Sequence, residues 1–135
     1  MNDVMKIFFS FIALLFYTTI AMAQTPDTTV TTQKAYELMQ SDTNIVILDV
    51  RRLEEFTSES GHLRNAILIP VEKLEERFKE LEPYKNKTII AVCRSGNRSG
   101  RAATFLNAQG YTVKNLLGGM LKWNEEQLPV VKEEE

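Results

Sequence analysis

A chain of 135 residues, 44% hydrophobic and 25% charged, has the makeup of one globular domain rather than of a fibrous or disordered one. Its net charge of −2 gives no basis for nucleic-acid binding. With one cysteine and one histidine it can form no internal disulfide and offers a poor metal-ligand set, so neither a disulfide framework nor a metal cofactor is expected.

The opening Met1–Lys6 segment carries a lysine, Ile7 to Ile20 runs without charge, and Ala21-Met22-Ala23 places small residues two apart. That is the pattern of an export signal, with cleavage after Ala23 and Gln24 as the new first residue. The apolar run is shorter than the roughly 20 residues that a spanning helix needs, so no membrane anchor is expected after cleavage. The expected organisation is a signal peptide over 1–23, a linker over 24–31, one domain over 32–130 and an acidic tail over 131–135. The expected location is the bacterial periplasm.

Past the polar linker, which has room for an edge strand, Thr32 is placed to cap a helix over Gln33–Gln40. Ile45–Leu48 is a buried-type strand ending at Asp49, and Arg52–Phe56 starts a short helix. A short strand over Ala66–Ile69 is closed by Pro70. Val71 to Leu81 reads as one helix, with Leu74, Phe78 and Leu81 as its core stripe and its charged residues as a solvated face. Thr88–Val92 is uncharged, rich in β-branched residues and of strand length, so it reads as a central buried strand. A helix over Gly100–Gln109 follows, then a strand over Tyr111–Leu116, a Gly118-Gly119 turn and a last helix over Met120–Gln127 with Trp123 as a core anchor. Strands alternate with helices, which gives an α/β class: a mainly parallel sheet of about four to five strands with helices on both faces.

Between the central strand and its helix lies Cys93-Arg94-Ser95-Gly96-Asn97-Arg98-Ser99. Ligands of open α/β sheets bind at the carboxyl ends of strands, where this cysteine falls. A free thiol (pKa about 8.5) is only a few per cent thiolate at neutral pH. Helix N-terminal amides, with Arg94 and Arg98 as cations, would raise that fraction. The loop amides would cradle an anion, and Gly96 permits a sharp turn. The plainer alternative, a small buried hydrophobe, fits the arginine-flanked polar loop less well. A lone cysteine in an exported protein also points to a reactive thiol.

Taken together the landmarks resemble the single-domain rhodanese family of sulfurtransferases. Asp49-Val50-Arg51 with Glu55-Phe56 is similar to its first signature, and Gly61-His62-Leu63 with Asn65-Ala66 and Ile69-Pro70 to its middle one. The Cys93–Ser99 stretch is similar to its active-site loop, and Gly118-Gly119 with Trp123 and Pro129-Val130 to its closing signature. The resemblance spans about Thr32 to Val130 and implies a rhodanese-like fold and a thiosulfate sulfurtransferase reaction without a cofactor. Cys93 would take the outer sulfur of a small anionic donor such as thiosulfate and pass it, as a persulfide, to cyanide or a thiol. Arg94, Ser95, Gly96, Asn97, Arg98 and Ser99 would form the loop cradle and bind substrate. Asp49 and Arg51 would brace the site through a salt bridge, and His62 would be structural. Ser99 either caps the helix or hydrogen-bonds the sulfur; both stay open here.

Two other functions compete. A cysteine phosphatase or arsenate reductase relative would need Cys-x5-Arg, whereas here the five residues after Cys93 lead to Ser99 rather than arginine, and Arg98 comes one position early. A persulfide carrier or binding module for a protein partner would use the same cysteine without turning over small thiols.

Overall fold

The computed structural model describes residues 27–133 together with Asp3. The expected signal peptide, apart from Asp3, and the linker before Asp27 lie outside the described residues, as do the last two residues of the tail.

Five strands form one sheet: β1 (Thr29–Val30), β2 (Ile45–Asp49), β3 (Ile67–Leu68), β4 (Thr88–Val92) and β5 (Thr112–Leu116). Their order is β1-β5-β4-β2-β3, and every neighbouring pair runs parallel. The helices are α1 (Thr32–Ser41), α2 (Leu53–Phe56), α3 (Leu74–Arg77), α4 (Asn97–Ala108) and α5 (Gly119–Glu125). The α/β reading of the sequence is therefore the architecture found.

Period-two alternation along β4 decides which core each side chain joins. Ile89, Ala91 and Cys93 belong to one cluster, with Ala102, Ala103 and Leu106 of α4 and with Leu74 and Leu81. Ile90 and Val92 belong to the other, with Ala35 of α1 and Met120 and Trp123 of α5. The cysteine is thus in register with the α4 side of the sheet. Trp123 is fully buried, meets Tyr36 edge-on at 6.0 Å and donates its indole N–H to Pro129 O at 3.0 Å.

Three boundaries differ from expectation. Thr31, not Thr32, caps α1: its backbone is extended and its hydroxyl accepts from Lys34 N at 3.2 Å. Thr32 is buried, and its hydroxyl is committed to Glu126. The single helix expected over Val71–Leu81 is a 3-10 turn at Val71–Lys73, then α3, then a 3-10 stretch at Phe78–Tyr84. Phe78, Leu81 and Tyr84 all meet the same core, and their three-residue spacing is the 3-10 repeat. The helix after the cysteine starts at Asn97, three residues ahead of Gly100.

Candidate active site

β4 lies between β5 and β2, and Cys93 directly follows its last residue, so the sulfur sits at the carboxyl edge of the middle of the sheet. The loop proper is short. Gly96 takes φ 102°, in the left-handed region open to glycine, and its carbonyl accepts from Gly100 N at 3.0 Å. That turn starts α4 early, so Asn97, Arg98 and Ser99 form its first turn and carry the amides that a helix leaves unpaired.

The loop carbonyls are taken up elsewhere. Met120 N donates to Cys93 O at 2.9 Å and Leu121 N to Arg94 O at 3.0 Å, so the N-terminus of α5 clasps the loop from behind. A side chain at Gly119 would collide with those same two carbonyls, which fixes glycine there. With its carbonyls held by α5, the loop presents amides to the sulfur. Gly96 N and Ser99 Oγ both donate to Cys93 Sγ, at 3.1 and 3.2 Å. Burial pushes the thiol up; the Ser99 hydroxyl and the amides of Ser99, Gly96 and Ser95 outweigh it and hold the thiol below its ordinary value.

The two arginines of the loop differ. Arg94 is exposed and makes no ion pair among the described residues. It lines a cleft of about 580 Å³ with Glu59, Ser60, Met120, Leu121 and Asn124. Arg98 is bound bidentately by Glu55, at 2.7 and 2.6 Å. That hydrogen bonding from Arg98 is the main reason the Glu55 carboxyl falls to about 2. Much of the Arg98 charge is therefore answered by Glu55, and direct hydrogen bonding rather than the pair of cations dominates the setting of Cys93. Ser95 and Asn97 are exposed.

Asp49 and Arg51 are both buried at the end of β2 and form a forked pair, Nη2 to Oδ2 at 2.8 Å and Nε to Oδ1 at 3.0 Å. Arg51 also donates to Gly61 O, Ser60 Oγ and Glu55 O, tying β2 to the loop after α2. His62 stacks on Phe56 with centroids 3.9 Å apart, holds Nδ1 3.0 Å from Leu63 O, and has Nε2 3.4 Å from Glu133 Oε1.

The sequence profile of the Rhodanese-like domain matches residues 31–126. The chain belongs to the rhodanese-like family. Among its relatives, YrkF of Bacillus subtilis (strain 168), whose name includes the words sulfur carrier protein, is 38% identical over 86 residues, 63% of this chain and 44% of that one. Thiosulfate sulfurtransferase PspE of Escherichia coli (strain K12) is 37% identical over 73 residues, 54% of this chain and 68% of that one. A rhodanese-related protein from Thermoplasma volcanium superposes with a TM-score of 0.70 at 34% identity, covering 78% of this chain and 98% of that one. The chain spans only part of the length of the first curated relatives it matches, 44% of one and 61% of another.

Two residues of this rhodanese-like site escaped the sequence reading of its loop. Glu55 stood there only as part of a signature, although a carboxylate is what a half-buried Arg98 needs. Asn115 on β5 accepts from Ser99 Oγ at 2.6 Å and donates through Nδ2 to Gly96 O at 3.0 Å. Its signal was present: asparagine is depleted in strands, so one inside a strand next to a buried edge asks for a polar partner.

Proposed function

We propose that the protein is a sulfurtransferase that moves sulfane sulfur from thiosulfate or a similar anionic donor to a thiol or cyanide through a Cys93 persulfide. The Cys93 thiolate attacks the outer sulfur of thiosulfate. A new S–S bond forms, the donor's S–S bond breaks, and sulfite leaves with that electron pair. An acceptor thiolate then attacks the outer sulfur of the persulfide, and Cys93 departs as thiolate. Two half-reactions at one nucleophile give ping-pong kinetics. Arg94 attracts the donor, and the loop amides hold the anionic outer sulfur.

The observation that carries this reading is the set of donors converging on Cys93 Sγ, with the thiol held low despite burial. Steady-state kinetics across thiosulfate, a mercaptopyruvate-type donor and a polysulfide, with Cys93→Ser as control, test it. Turnover lost in that variant supports the reading; turnover retained refutes it. The carrier reading is favoured by the similarity to YrkF. A stable gain of one sulfur by mass after thiosulfate, with no turnover to any small thiol, would select it. The proposed site of action is the periplasm, after cleavage behind Ala23, and N-terminal sequencing of the protein from its host should begin at Gln24.

A further inference from the structure

Four hydrogen bonds close a ring around the sulfur. Gly96 N donates to Cys93 Sγ, Asn115 Nδ2 donates to Gly96 O, and Ser99 Oγ lies 2.6 Å from Asn115 Oδ1 and 3.2 Å from Cys93 Sγ. The polarity of the ring is forced. A carbonyl only accepts, so the Asn115 amide must turn its nitrogen to Gly96 and its oxygen to Ser99. That oxygen can only accept as well. Ser99 is fully buried, and its one hydroxyl proton faces two acceptors.

We propose that Asn115 is a positioning residue that competes with the Cys93 sulfur for the Ser99 hydroxyl proton, so that the hydroxyl changes partner with the state of the sulfur. While Cys93 is a thiol, S–H donates to Ser99 Oγ and the hydroxyl donates to Asn115 Oδ1. When the thiol proton leaves to solvent, Sγ becomes the stronger acceptor and the hydroxyl swings to it. When Sγ becomes the uncharged inner sulfur of a persulfide, the hydroxyl returns to Asn115. The loop amides then serve the outer sulfur alone. This last step rests on the sulfurtransferase reading; the competition itself does not.

The test is a double-mutant cycle of Ser99→Ala and Asn115→Ala read by the pH profile of Cys93 alkylation, which needs no sulfur donor. Failure of the transfer reaction therefore leaves it readable. Removing Asn115 frees the hydroxyl for the thiolate but also releases Gly96, and only the first effect requires Ser99. Alkylation below the midpoint should gain from Asn115→Ala by about threefold or more in the Ser99 protein relative to the Ser99→Ala background. Equal effects in both backgrounds overturn the proposal and leave Asn115 a loop brace. The charged groups on surrounding elements are common to all four proteins: Arg94, Arg98 with Glu55, Asp49 with Arg51, Lys114 with Asp27, and Lys122 with Glu126. If Asn115→Ala does not fold, Asn115→Val, a better strand former, takes its place. The unsubstituted protein gives a second reading. The side-chain amide resonances of Asn115 should titrate at the alkylation midpoint and stay flat in Ser99→Ala; resonances that stay flat in both overturn the swing.

Discussion

Adjacent parallel strands end in two buried polar sites of opposite design. At the end of β2, Arg51 meets a carboxylate and three further acceptors, so donors and acceptors balance and the charge is answered. At the end of β4, Cys93 meets amides and a hydroxyl, with no carboxylate among its hydrogen-bond partners in the described residues. A balanced buried network holds a fold together; an unbalanced one, rich in donors, can hold a negative charge. The same sheet edge supplies both, and the rigid site braces the loop segment beside the reactive one.

The widest separation between them should come from one substitution in each. Cys93→Ser should abolish sulfur transfer while moving stability by about 1 kcal/mol. Arg51→Ala should cost about 3–5 kcal/mol in urea denaturation, because it leaves Asp49 buried without its partner. Comparable stability losses in both would erase the distinction.

Within the reactive site, Ser99→Ala should slow alkylation of Cys93 about tenfold at about pH 6, since one hydrogen bond to a charged sulfur is lost. A midpoint unchanged from the unsubstituted protein would show that the amides alone ionise it. Arg94→Ala should raise KM for thiosulfate about two- to fivefold with kcat little changed, and added salt should shrink the difference. A fall in kcat instead would place Arg94 in the chemistry.

The smallest effect should come from Glu55→Gln, which breaks the half-exposed clamp on Arg98 and should cost under about 1 kcal/mol. Its sign with pH is fixed. The folded carboxyl lies at about 2, below its ordinary 4.5, so the clamp contributes fully above 4.5 and is lost as pH falls toward 2. Denaturation midpoints of the two proteins should differ at pH 7 and converge in acid; a gap that widens in acid would contradict the assignment.

The alternation of strands and helices, the burial of β4 and the place of the cysteine at its end could all be read from the chain, because they depend on hydrophobic period and on residues near in sequence. The Gly96 turn was legible too, since no other residue takes that backbone so readily. The start of α4 lies three residues ahead of where the sequence places it, because the polar Asn97-Arg98-Ser99 looks like loop until its amides have something to face.

What the sequence by itself determined is the class of fold and the candidate nucleophile: local periodicity and a single cysteine suffice for both. What only the tertiary structure decided is how that sulfur is governed. Glu55 reaches Arg98 across 43 residues, Asn115 reaches Ser99 across 16, and the amides of α5 clasp carbonyls more than 25 residues earlier in the chain. Such partners are chosen by how the sheet orders its strands, and no local pattern in the chain encodes that order.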